Sequence, residues 1–154
     1  MNSSGQLLVF SLERQAYGLP LAAVDQVLLV VDIVALPGAP PIVEGVINVH
    51  GEIIGVMDIR WRFRLPTRKT ELYDRLIIAR CTNRKIAFIT ENVVGVREYP
   101  EGTIADAKAI FTQLEHVSGI CGTEEGLIIL YDLDALLSEH EESALEEALE
   151  RVTP

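Results

Sequence analysis

The stretch Gly45-Val-Ile-Asn-Val-His-Gly-Glu-Ile-Ile-Gly-Val-Met-Asp-Ile-Arg60 decides the fold. Ile47, Val49, Ile53, Ile54, Val56 and Met57 are apolar and largely β-branched, as strands that line a core require. His50-Gly51-Glu52 is too short for anything but a hairpin turn. The stretch therefore predicts a strand, a tight turn, a second strand and a closing carboxylate, Asp58.

Outward from this hairpin the chain repeats itself. Gly119-Ile120, Leu127-Ile-Ile-Leu130 and Asp132-Leu133 each stand 74 residues after Gly45-Val46, Ile53-Ile-Gly-Val56 and Asp58-Ile59. Leu76-Ile-Ile-Ala-Arg-Cys81 stands 69 residues after Leu7-Leu-Val-Phe-Ser-Leu12. The same shift relates Ile86-Ala-Phe-Ile-Thr90 to Tyr17-Gly-Leu-Pro-Leu21, and Val93-Val-Gly-Val96 to Val24-Asp-Gln-Val27. Two gap-free correspondences in one short chain indicate an internal duplication. Short turns without intervening long helices predict an all-β pair of small barrels rather than βαβ units. Closing each sheet also removes the exposed edges of strands this apolar.

Around this frame, residues 22–27 read as a helical turn leading into a strand over 27–31. The proline-rich Leu36-Pro-Gly-Ala-Pro-Pro41 reads as irregular chain, and residues 103–115 as a loop. At the end, Leu137, Ala144, Leu145, Ala148, Leu149 and Val152 recur at helical spacing and predict a helix over 138–152. That helix either packs on a barrel or is presented to a partner.

The 154 residues suit one domain, or two half-domains sharing a core. A net charge of −10 argues against a nucleic-acid binder or an anionic-membrane binder. No stretch approaches the ~20 apolar residues of a membrane span. Met1-Asn-Ser-Ser-Gly5 lacks the basic start of a signal peptide, which points to the cytoplasm. Cys81 and Cys121 lie in apolar surroundings and are expected to be reduced.

Asp58 and Asp132 occupy matching positions, so an aspartyl hydrolase dyad is one reading. Such a dyad needs small residues after each aspartate, whereas Ile59-Arg60 and Leu133-Asp134 follow here. Capping of the next turn is the simpler role. His50, His116 and His140 lack zinc-site spacing, and neither a nucleophile elbow nor a phosphate loop is found, so no cofactor or metal is expected. Arg60, Arg62, Arg64, Arg68 and Lys69 form either a solvated face or a contact for an acidic partner. Trp61 and Phe63 alternate with the arginines, so both rings are expected to point inward.

The ordered set Phe10-Ser-Leu12, Tyr17-Gly18, Val24-Asp-Gln-Val27, Leu36-Pro37, Gly45-Val-Ile-Asn48, Gly51, Val56-Met-Asp-Ile-Arg60, Val93-Val-Gly-Val96 and Leu133-Asp-Ala-Leu-Leu137 resembles the CheW-like family of chemotaxis coupling proteins. The resemblance implies one CheW-like domain over 1–154, built of two SH3-like five-stranded β-barrels with a shared core. The approximate sub-barrels are 15–80 and 81–137, with exchange of terminal strands. It further implies a non-enzymatic adaptor of signal transduction. Its partners would be the regulatory domain of the histidine kinase CheA and the cytoplasmic tip of a chemoreceptor, met at membrane-receptor arrays without membrane insertion.

Carried onto this chain, the receptor-facing residues are Val24, Val27, Asn48, His50 and Val96. The kinase-facing ones are Asp32, Ile33, Ile42, Val43, Glu44 and Gly45. The family usually has Arg before the hairpin glycine and an acidic partner in the segment matching 24–27. Here His50 and Gln26 stand there, which would allow a neutral hydrogen bond in place of the charge pair. Three readings follow: the chemotaxis adaptor, a CheW-like scaffold of a non-flagellar pathway (surface motility or second-messenger control), and a small aspartyl hydrolase.

Overall fold

The computed structural model describes residues 5–99, 104–106 and 117–152. Strands β1 (Gly5–Leu12) and β2 (Gln15–Pro20) form a hairpin, followed by a 3-10 turn at Leu21–Ala23 and β3 (Val24–Leu29). The central hairpin is β4 (Val43–Val49) and β5 (Glu52–Met57), closed by the short helix α1 (Ile59–Arg62). After a connection come β6 (Arg75–Arg80), β7 (Lys85–Thr90), β8 (Asn92–Tyr99), β9 (Ile104–Asp106), β10 (Val117–Thr123) and β11 (Gly126–Tyr131). A 3-10 turn at Leu133–Ala135 and helix α2 (Glu139–Val152) end the chain.

The duplication is visible in the register. Leu7 faces Pro20 and Leu8 faces Leu19 in the first hairpin; Leu76 faces Ile89 and Ile77 faces Phe88 in its repeat. Val43 faces Met57 and Gly45 faces Val56; Val117 faces Tyr131 and Gly119 faces Leu130. The β-bulges recur too. Asp25 bulges where β3 meets β6, and Val94 at the matching place where β8 meets β1.

The repeats do not fold side by side. The five-stranded sheet runs β3-β6-β7-β5-β4, and the six-stranded sheet runs β8-β1-β2-β11-β10-β9. Each sheet thus takes one hairpin from the other half, β6–β7 in one case and β1–β2 in the other. Parallel seams fix the exchange, with β5 along β7 and β11 along β2. Sheet membership therefore does not follow the limits 15–80 and 81–137. The expected pair of five-stranded barrels is present, with β9 added at the edge of one sheet; where residues 103–115 read as loop, Ile104–Asp106 is strand and 107–115 lie outside the described residues.

Both faces of the central strands are buried, which accounts for their unbroken apolar runs. Leu8, Phe10 and Leu12 of β1 and Ile77 of β6 enter the core shared by the two sheets. Their neighbours turn the other way. Leu7 and Val9 pack with Cys121, Ile128 and Leu130, while Leu76 and Ile78 pack with Ile47, Val49, Ile54, Val56 and Ala87. Each sheet so encloses a small core of its own. Helix α2 seals the shared core with Leu145 and Ala148, the packed alternative of the two foreseen. It opens on a capping box, since the Glu141 amide donates to Ser138 Oγ (3.1 Å) and the Ser138 amide to Glu141 Oε1 (2.9 Å).

Two local expectations are corrected. The strand expected over 27–31 runs instead over Val24–Leu29, and the helical turn expected over 22–27 is confined to Leu21–Ala23. Residues 59–62 are helical, so a period-2 alternation does not apply: Trp61 is 50% exposed, while Phe63 turns in and stacks on Tyr131 with ring centres 3.9 Å apart. Cutting the chain between Lys69 and Thr70 should leave halves that show no cooperative unfolding alone but regain it when mixed. Circular dichroism melts of each half and of the mixture check this, and an independently folded half would contradict the exchange.

Candidate protein-interaction surface

The β4–β5 turn presents His50. The backbone at His50 (φ 51) and Gly51 (φ 88) is left-handed, the conformation of a two-residue hairpin turn that matches strand twist. Gly51 carries that φ without a side-chain penalty, and Asn48 Oδ1 accepts from its amide at 2.8 Å. Asn48 thereby shapes the turn, and both Asn48 and His50 are exposed.

Beside this turn a row of charges crosses the end of the five-stranded sheet. Asp25, on the β3 bulge, pairs with Arg80 (2.5 Å) and Lys85 (3.5 Å), and Lys85 pairs with Glu52 (3.1 Å). Partial desolvation opposes ionisation of Asp25, but the Gln26 amide and the Lys85 and Arg80 charges win and hold its carboxyl below the usual range. Gln26 Nε2 turns to Asp25 (3.4 Å), and no hydrogen bond joins it to His50 among the described residues. The neutral Gln26–His50 contact is thus replaced by the chain Asp25–Lys85–Glu52. Sequence reading missed these residues because strand partners bring together side chains far apart in the chain.

Val24 is partly buried against the shared core, and Val27 on the same strand is 38% exposed. Val96, its repeat counterpart, is 48% exposed on β8 of the other sheet. Val24, Val27, Asn48 and His50 therefore belong to the five-stranded sheet and Val96 to an edge of the six-stranded one.

The second group divides between surface and interior. Asp32 is exposed and Ile33 is half-buried against the small core of the five-stranded sheet. Ile42 is 0% exposed, and Val43 is buried with it. Gly45 is needed for close approach, because a Cβ there would stand 2.3 Å from the Val34 carbonyl oxygen where that residue bridges to Val46. The Glu44 side chain reaches outward. The residue as a whole is exposed, yet neighbouring atoms shield its carboxyl, which desolvation and then the Asp58 charge push up to about 6.

The arginine cluster is mostly spent inside the molecule. Arg60 pairs with Glu13 and with Glu91 (3.6 Å), and Arg62 pairs with Glu141 (2.5 Å). Arg68 pairs with Glu91 (3.2 Å), Glu71 (3.4 Å) and Asp74 (2.7 Å). Arg64 and Lys69 remain exposed. The two duplicated aspartates cap. Asp58 Oδ1 accepts from the Trp61 amide at 3.0 Å and Asp132 Oδ1 from the Asp134 amide at 3.1 Å. No disulfide joins Cys81 and Cys121, and burial pushes the Cys81 thiol up to about 12.

Two interlocked barrels carrying ordered surface charge and exposed edge-strand valines define a double-barrel β module. The chain matches the CheW-like domain model over residues 6–141 and belongs to that family. It is 25% identical to the chemotaxis protein CheW of Treponema pallidum, over 88% of this chain and 84% of that protein. It is also 25% identical to that of Thermotoga maritima, over 87% and 88%. Its fold matches the crystal structure of the scaffolding protein TtCheW from Thermoanaerobacter tengcongensis with a TM-score of 0.81 and 31% identity, covering 89% of this chain and 94% of that one.

Glu44 generates a pH test. Its carboxyl binds a proton more tightly folded than unfolded, so stability rises as pH falls from about 6 toward the ordinary carboxylate range, and ionised Glu44 opposes folding at neutral pH. Glu44→Gln should raise Tm at pH 7.5, with the gain shrinking by pH 5 in thermal melts. An equal Tm at pH 7.5 would count against the shielded carboxyl.

Proposed function

We propose that this protein is a non-enzymatic adaptor of chemotaxis-type signal transduction, joining chemoreceptor tips to a CheA-type histidine kinase. The observation that carries the reading is the likeness, over nearly the whole chain, to a protein described as a scaffold. The duplicated aspartates support it as well, since each accepts a capping hydrogen bond from the turn that follows it. The module works as one cytoplasmic unit recruited to receptor arrays, and no helix among the described residues is long and apolar enough to cross a membrane.

The mechanism is positional. Val24, Val27 and Val96 bury an apolar stripe of the receptor's helical tip, while Asn48 and His50 meet its polar flank. The kinase regulatory domain docks on the side of Asp32 and Glu44. Since the Ile42, Val43 and Gly45 positions are interior, they support that surface rather than touch the partner. Each contact is modest in area, and arrays gain strength from many linked contacts.

A specific observation keeps a second reading in view. With Gln26 and His50 at the family's charge-pair positions, and Asp25–Lys85–Glu52 supplying charge beside them, the receptor partner belongs to a dedicated, non-flagellar pathway. Swapping receptor fragments from the two kinds of pathway in a pull-down separates the readings.

Val27→Glu or Val96→Glu should weaken binding of a receptor-tip fragment by about tenfold or more, because either places an unpaired carboxylate in an apolar contact. Tm should hold, as both positions are exposed edge-strand sites. Titration calorimetry measures the affinity, and binding unchanged in both variants would remove these valines from the receptor surface.

A further inference from the structure

Leu72 and Tyr73 are the most exposed large apolar side chains among the described residues, at 81% and 77%. They form the tip of the connection between α1 and β6, and that connection is not slack. Asp74, 2% exposed, sits at its base. Arg68 grips the Asp74 carboxylate with two nitrogens, at 2.7 and 3.1 Å. The Glu71 amide donates to the same carboxylate (2.8 Å), and the Asp74 amide returns a bond to the Glu71 carbonyl (3.1 Å). Arg75 Nη1 also donates to the Tyr73 carbonyl.

A buried ion pair is a weak way to add stability, because desolvation consumes much of its Coulomb gain. It is an effective way to fix a geometry. Here the clasp Arg68–Asp74 is closed beneath two apolar side chains held in water, so the binding entropy of ordering the loop is met in advance. Tyrosine is among the residues enriched at the energetic centres of protein interfaces. The exposed cations Lys69 and Arg64 lie in the same connection, on a chain whose net charge is −10.

The loop also joins a surface already described. Arg68 and Thr70 line one small cavity together with Glu44 and Asp58. The Glu44 side of the molecule is where the proposed kinase contact lies; Ile42 and Val43 are interior there, and Leu72 and Tyr73 are more exposed than the nearby Val31 and Val34 (41% and 64%). We infer that Leu72 and Tyr73, preset by the Arg68–Asp74 clasp, are the apolar anchor that inserts into a carboxylate-rimmed cleft of the kinase regulatory domain. This inference rests on the adaptor reading and assigns it an anchor that the family resemblance did not supply.

The test uses the full chain, the purified kinase regulatory domain and a receptor-tip fragment in titration calorimetry. The double variant Leu72→Ser/Tyr73→Ser should lose at least tenfold in kinase affinity while binding the receptor fragment as before. Asp74→Asn, which keeps the shape but loosens the clasp, should lose severalfold in kinase affinity with both exposed side chains still present; a near-ultraviolet spectrum like that of the parent verifies the fold. Kinase affinity within twofold of the parent in the double variant overturns the anchor. A parent chain that binds no kinase domain overturns the adaptor reading and this inference with it.

Discussion

Strand β2 lies parallel to β11 over 16–18, and β5 lies parallel to β7 over 55–57, and these two seams are the constraint from which the rest of the molecule follows. Parallel neighbours cannot be joined by a tight turn, so each seam must unite segments distant in the chain. In both seams the segments come from opposite halves of the duplication. A hairpin that left its adopted sheet would expose a parallel edge in one barrel and strip the shared core of its partners in the other. Neither barrel is complete without the other half, and the two are obliged to behave as one body.

That body is stiffened at the ends of its hairpins. Glu13, at the β1–β2 turn, and Glu91, at the β7–β8 turn, both pair with Arg60 of α1, and Glu91 pairs onward with Arg68 of the connection that follows. One guanidinium thus reaches turns from both halves. Isolated exposed ion pairs contribute little, but a partly buried network that fixes several loops at once holds geometry, which is what a positional adaptor requires. Exposed valines on the outer strands β3 and β8 and the rigid 66–74 connection are mounted on this frame.

How much of this was written openly in the chain can be judged residue by residue. The two offsets of the repeat foretold recurring hairpins, and the structure shows their registers and β-bulges recurring pair for pair, because a strand's partner spacing is set locally by its turn. The capping roles of Asp58 and Asp132 and the presence of the C-terminal helix were legible for the same local reason, while its packing through Leu145 and Ala148 decided between two readings left open. Which half each hairpin joins was not legible from the repeat, since equivalent strands carry equivalent patterns and either pairing satisfies them. Trp61 was misplaced because four residues of alternating type fit a strand or a helical turn equally. At the surface, the repeat marked Val27 and Val96 as counterparts. The burial of Ile42 and the Asp25–Lys85–Glu52 chain depend on contacts between distant segments, which local pattern does not encode, while the clasp beneath Tyr73 is local but follows no repeat or periodicity.

Native-state hydrogen exchange on the full chain tests the interlocking most directly. If each barrel depends on the other's hairpin, the slowest amides of β2 and β11 and those of β5 and β7 share one free energy of opening and respond alike to denaturant. One sheet exchanging through a separate, lower-energy opening while the other stays protected would show that the halves are independent, and would contradict the exchanged-hairpin fold.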